Sequence, residues 1–156
     1  MKIWLITVNY KDTRPTVELI ESLEKLKIVF DLTIFIADNE SSEKTKNRLK
    51  ILKNKSSLNI ELFFFKKNYY YWNAANLILK KKINHHHGPQ WTIICNNDII
   101  FNDKLFFEKL KKYDSKKFHL IGPNILNKSK IQLNPFMVSP MNTRKKFFWD
   151  IFFKSY

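Results

Sequence analysis

Trp91-Thr92-Ile93-Ile94-Cys95-Asn96-Asn97-Asp98-Ile99-Ile100-Phe101 is the stretch on which the fold turns. Four apolar or β-prone residues run into Asn-Asn-Asp, and a second apolar run follows. A short continuous apolar run reads as a strand buried in a parallel sheet. Residues 94–102 contain no lysine or arginine, so Asp98 has no basic neighbour along the chain. A carboxylate at the C-terminal end of such a strand stands where open α/β sheets bind ligands. The same residue types also make helix caps and turns, and this stretch alone leaves both readings open.

The preceding chain favours the sheet. Ile3 to Val8 is a continuous apolar strand, Leu32 to Ala37 a second, and Ile60 to Phe65 a third. Between the first two, Pro15 suits a first helical turn, and Val17, Leu19, Ile20, Leu23 and Leu26 recur at helical spacing. Asp38 to Ser42 is a cluster of capping residues ahead of a helix from Glu43 to Lys53, with Leu49 and Leu52 inward. Asn68 to Asn76 leads into a helix ending near Lys82. Asp103 is expected to cap a helix to Lys112 that buries Leu105, Phe106 and Leu110. Short strands are expected at His119 to Gly122 and around Ile131 to Leu133. Strands alternating with helices over the first 110 residues define an α/β fold, a mainly parallel sheet with helices on both faces. In such a sheet the polar clusters at Asn9-Tyr10, Asp38-Asn39, Asn68 and Asn96-Asn97-Asp98 share one edge and should converge on one pocket.

With 156 residues, 44% hydrophobic and 15% aromatic, the chain is sized for one domain with a real core. No apolar run is long enough to span a membrane, and the N-terminal Met1 to Val8 reads as a strand, not a leader. The single cysteine, Cys95, forms no internal disulfide, which fits a cytoplasmic location. The net charge of +14 points towards anionic partners. Arginine occurs only at positions 14, 48 and 144, while Lys, Asn, Ile and Phe abound, a bias that an AT-rich genome also produces.

The two glycines, Gly88 and Gly122, exclude a glycine-rich phosphate loop. No serine elbow and no Cys/His zinc spacing is present, and His85-His86-His87 before Gly88-Pro89 reads as a solvated turn. The Asp/Asn set is different. Hard oxygen ligands with few protein charges suit Mg²⁺ or Mn²⁺ held jointly with a substrate diphosphate.

Taken in order, Val8-Asn9-Tyr10, Ala37-Asp38-Asn39-Glu40-Ser41, Asn68 to Asn76 and Cys95-Asn96-Asn97-Asp98-Ile99 resemble the family-2 glycosyltransferases, most closely their rhamnosyltransferase-like branch. The resemblance covers residues 1–135 and implies a GT-A fold, a Rossmann-like nucleotide-sugar-binding domain; residues 136–156 form a basic and aromatic tail leading into an acceptor part. It implies transfer of a sugar from a dTDP- or UDP-sugar, with inversion and a divalent metal, to a cell-envelope glycan or lipid-linked acceptor. By position, Thr7 and Asn9 would border the nucleotide and Asp38 would bond its base or ribose, beside Asn39. Asn68 and Asn76 would flank the segment over nucleotide and sugar, Asn96 would join the site, and Asp98 would be the principal ligand of Mg²⁺ or Mn²⁺.

Two departures set up a second expectation. The family carries small residues where this chain has Tyr70, Trp72 and Asn73. The family also continues past this chain's length, into the part that supplies its catalytic base, and the context of Asp150 matches no such base. The alternative is therefore a truncated, inactive donor-binding remnant or interaction module. The apolar strip near Lys145, Lys146 and Lys154 suggests peripheral contact with the inner face of the plasma membrane. A nucleic-acid-binding domain is the least favoured reading, because the positive charge is scattered and no nucleic-acid motif is present.

Overall fold

The protein is described from a computed structural model, for residues 1–26, 28–83, 88–127 and 129–132. The His85-His86-His87 turn, Leu133 and the tail with Asp150 lie outside these residues, as does the division expected at 135/136. The chain forms two compact units, Met1–Phe118 and His119–Tyr156.

The first unit runs β1 (Lys2–Asn9), α1 (Arg14–Glu24), β2 (Asp31–Asn39), α2 (Glu43–Lys55), β3 (Asn59–Phe65), α3 (Tyr70–Lys82), β4 (Trp91–Ile94) and α4 (Phe106–Lys111). The strands form one parallel sheet in the order β3-β2-β1-β4. β1 pairs with β2 from Lys2↔Asp31 to Asn9↔Asp38, which brings the polar ends of the two central strands side by side.

Both faces of β1 and β2 are covered, so these strands are apolar without alternation. On one face Trp4, Ile6, Phe35 and Ala37 pack against Ala74, Ala75 and Ile78 of α3. The two alanines let the helix backbone approach the sheet, and Trp4 meets Phe35 edge to face at 5.3 Å between centroids. On the other face Asn9 bonds Thr16 of α1. The ends of α1 and α2 are tied where Ser56 donates to Glu24 Oε1 at 2.5 Å. Pro15 lies in the first turn of α1, and Ser42 caps α2 by accepting the Thr45 N–H at 3.3 Å.

Three expectations change. β4 is half-buried, because among the described strands it lies at the sheet edge with a single neighbour, β1. After the turn that follows β4, the Phe101 N–H donates to Ser22 Oγ of α1 at 3.0 Å. Asp103 accepts the Leu105 N–H at 2.9 Å in a turn, so α4 begins only at Phe106. Leu110 is inward as expected, but the later start turns Phe107 inward, leaves Phe106 half-buried and leaves Leu105 exposed.

In the second unit, His119 to Gly122 forms no strand, and Leu120 is exposed. Only two apolar residues precede Gly122-Pro123, and proline removes a ladder donor. Near Ile131 the chain makes a single antiparallel bridge, Leu126↔Gln132, closed by the Asn127 N–H on the Ile131 carbonyl at 3.0 Å.

Candidate nucleotide-sugar site

The C-terminal edge of the sheet carries a cleft of about 240 Å³ lined by Val8 and Tyr10 after β1, Asn39 of β2, Asn68, Tyr70 and Tyr71 at the start of α3, and Asn96 and Asn97 after β4. All four strand ends thus meet in one place, as the parallel order requires. Among the described residues the lining is tyrosines, amides and one valine, with no carboxylate or histidine.

A buried polar network lies on the α1 side of these strand ends. Asp38, 1% exposed, accepts from Asn9 Nδ2 at 2.8 Å and from Ser41 Oγ at 2.6 Å. Asn9 accepts from Thr16 Oγ1 at 2.8 Å, and Asn97 Nδ2 donates to the same Thr16 oxygen at 3.1 Å. Thr16 thereby fixes the end of β1 to the turn after β4. Asp38 Oδ2 and Thr7 Oγ1 are buried with no hydrogen-bond partner among the described residues.

Asn39 works on the other side. Its Oδ1 accepts the Tyr69 N–H at 3.3 Å and its Nδ2 donates to the Tyr70 carbonyl at 3.2 Å. Asn68 Oδ1 accepts the Tyr70 N–H at 2.8 Å. Tyr70 is thus held through both of its backbone polar groups at φ 57°, a left-handed conformation that costs an L-residue about 1–2 kcal/mol. Lys11 and Glu40, which follow β1 and β2, are left-handed as well, at φ 60° and 50°. Such outliers cluster at ligand sites.

Around the cleft, the Lys11 ammonium lies 4.7 Å from the Tyr10 ring centre. A hydrogen bond with Tyr10, and then that residue's charge, hold Lys11 above the usual lysine range. Burial pushes the Cys95 thiol up to about 12, with the Asp98 charge adding to it. Burial likewise raises Tyr71 to about 12, with Cys95 contributing. Both groups are therefore neutral at physiological pH.

Of the residues expected at a site, Asn39, Asn68 and Asn96 line the cleft. Thr7, Asn9 and Asp38 are buried and do not line it. Asn76 is exposed on α3 and lines a second cleft with Tyr69, Tyr70, Tyr71, Trp72 and Asn73. Asp98 is exposed in the turn after β4, next to the lining residues Asn96 and Asn97. The strand-end and turn readings of Asn96-Asn97-Asp98 therefore both hold. Sequence reasoning missed Thr16, whose signal is a polar residue at an inward helical position, and the lining roles of Val8 and Tyr10.

Among the described residues no three His, Cys, Asp or Glu side chains come together. A protein-only metal cage is therefore not formed there. A single exposed carboxylate flanked by amides does suit an Mg²⁺-type ion, which keeps several waters and shares its coordination with substrate phosphates.

The fold is the GT-A kind of α/β sheet, with a polar cleft at its strand ends. It is similar to crystal structures of S. aureus TarS. One TarS structure superposes with a TM-score of 0.57 at 19% identity, over 71% of this chain and 19% of that chain. TarS 1-349 in complex with UDP gives 0.58 at 19% identity, and in complex with UDP-GlcNAc 0.56 at 21%, each over 71% of this chain. This chain spans only 31% and 30% of those two chains. The likeness is one of fold. No protein-family model matches the sequence, and no curated protein matches it. Among the described residues no helix is long and apolar enough to cross a membrane.

Proposed function

We propose that this chain binds the nucleotide-diphosphate donor of a glycosyltransferase, a UDP- or dTDP-sugar, in the strand-end cleft. The observation that carries the reading is the convergence of Asn39, Asn68, Asn96 and Asn97 on one cleft, backed by a locked network. Support comes from the fold shared with a protein solved with UDP and with UDP-GlcNAc. Amides and tyrosines recognise a base and ribose by hydrogen bonding and stacking, and the Lys11 ammonium beside the cleft favours a diphosphate. Asp38 and Asn9 then act from behind the cleft, holding the β1 and β2 ends in register.

In this reading Asp98 holds Mg²⁺ or Mn²⁺ together with the donor diphosphate. Such an ion would supply charge neutralisation for the leaving nucleoside diphosphate. Transfer with inversion also needs a base for the acceptor hydroxyl. Among the described residues no carboxylate or histidine lines the cleft, so in this reading the lining serves the donor and the base stands outside it. The second reading is a donor-binding remnant or interaction module without turnover. The acceptor class, a cell-envelope glycan or lipid-linked sugar, and the rhamnosyltransferase-like branch rest on the quoted motifs alone.

Calorimetric titration of UDP with and without Mn²⁺ into wild type and Asp98→Ala tests the metal assignment. The expected result is Mn²⁺-enhanced binding that weakens about tenfold or more in the variant. Unchanged affinity and unchanged metal dependence in Asp98→Ala would refute the role given to Asp98.

A further inference from the structure

The buried network behind the strand-end cleft has a direction. Asp38 Oδ1 takes two donors, Ser41 Oγ at 2.6 Å and Asn9 Nδ2 at 2.8 Å. With its Nδ2 spent on Asp38, Asn9 offers only Oδ1 to α1, and Thr16 donates to it at 2.8 Å. A hydroxyl carries one proton, so Thr16 meets any further partner as an acceptor. Asn97 therefore turns its Nδ2 towards Thr16, at 3.1 Å. Flipping the Asn97 amide would set two oxygens against each other, or draw the Thr16 proton away and leave Asn9 Oδ1, in a residue 0% exposed, without a donor. The orientation of an amide at the cleft is thus dictated from Asp38, through Asn9 and Thr16. The far end of the same turn is also tied to α1. Ser22 Oγ donates to the Leu19 carbonyl at 2.7 Å and accepts the Phe101 N–H at 3.0 Å. Asp98 lies between these two ties.

Asn97 is half-buried and lines the cleft, and its Nδ2 is engaged behind it. We propose that Asn97 is a donor-binding residue that meets its ligand through Oδ1 alone, and that Thr16 is the positioning residue that sets this polarity. An amide free to flip offers either a donor or an acceptor, whereas one held from behind by its nitrogen offers an acceptor only. The group it selects is therefore an O–H or N–H, supplied by the nucleotide-sugar itself or by a water on the ion beside Asp98. Phosphate oxygens, which only accept, are not its partners. Because the turn is already tied to α1, binding does not have to order it. The proposal rests on the donor-binding reading for the identity of the ligand; the orientation of Asn97 stands on the hydrogen bonds alone. Thr16 is 0% exposed, so it acts on the ligand through Asn97 and not by contact.

The test uses the full chain as wild type, Thr16→Val, Thr16→Ser, Asn97→Ala and the double variant Thr16→Val/Asn97→Ala, each checked for cooperative unfolding. By NMR of the ligand-free wild type, the Asn97 side-chain NH₂ should exchange with water about tenfold more slowly than that of exposed Asn96. Thr16→Ser should keep this contrast and Thr16→Val should lose it. In calorimetric titrations with UDP, with and without Mn²⁺, affinity should fall about fivefold or more in Thr16→Val and in Asn97→Ala, with no further loss in the double variant, because the two residues act as one unit. Thr16→Ser should bind as wild type does. A loss seen only with Mn²⁺ assigns the selected group to the metal's water, and a loss in both titrations assigns it to the nucleotide. Wild-type affinity in a folded Thr16→Val, or losses that add in the double variant, would overturn the proposal. Unchanged affinity in Asn97→Ala would overturn it whether or not Thr16→Val folds, and so would equal exchange of the Asn96 and Asn97 amides in the wild type. A wild type that binds no UDP but keeps the amide contrast would fail the donor-binding reading, and the ligand role of Asn97 with it, while the orientation set by Thr16 stands.

Discussion

Asn39 joins β2 to the start of α3 with one side chain, accepting from Tyr69 and donating to Tyr70. It is 1% exposed and both bonds are part-buried, so Asn39→Ala should cost about 1–2 kcal/mol in urea unfolding. Tyr70→Gly should behave oppositely. The ring is mostly exposed, and glycine removes a left-handed penalty of about 1–2 kcal/mol against an entropic cost of about 0.5–1 kcal/mol. Unchanged or slightly raised stability is expected, and a loss above about 1 kcal/mol would contradict it. Cys95 and Tyr71 bind their protons more tightly in the folded chain, with values raised from 9.0 and 10.0 to about 12. The folded state therefore holds more protons between pH 9 and 12, and stability should fall as pH rises through that window. Native Cys95 should also react with a thiol reagent far more slowly than the unfolded chain at pH 8. Asn39 and Asn96 were legible as strand-end residues because their position follows from the end of an apolar run. The left-handed Tyr70 was not, because nothing in Tyr-Tyr-Tyr-Trp marks a backbone held by distant amides.

At the scale of elements, legibility followed the strength of the pattern. β1, β2 and β3 are long apolar runs, and their bounds shift by two residues at most. α4 is short, and one side-chain bond from Asp103 set its start and hence its buried face. The expected strand at His119 failed for lack of apolar residues and a donor at Pro123. Ile78 is fully buried where α3 meets the sheet, so Ile78→Ala should cost about 2–5 kcal/mol. Ile51→Ala on the exposed side of α2 should stay within about 0.5 kcal/mol. Equal losses from the two would mean that Ile51 is buried as Ile78 is, against the burial described. Ser42→Ala should cost about 1 kcal/mol through the lost cap on α2.

Across the whole molecule, the order of strands converts four separated polar clusters into one cleft, and that consequence was legible from the alternation of strands and helices. What was not legible was which polar residues face the cleft and which face α1. Asn9 and Asp38 sit at strand ends like Asn39, but they lie in the buried network because Thr16 on α1 and Ser41 meet them there. The charge of +14 should make any dianion bind more weakly as salt rises. The measurement that tests the central claim most directly is calorimetric titration of UDP and dTDP into the folded chain, each with and without Mn²⁺. Saturable binding of at least one nucleotide, strengthened by the metal and lost in Asn96→Ala, is the predicted result. No binding of either nucleotide by a sample with an intact cooperative unfolding transition would contradict the account, leaving the strand-end cleft as scaffold alone.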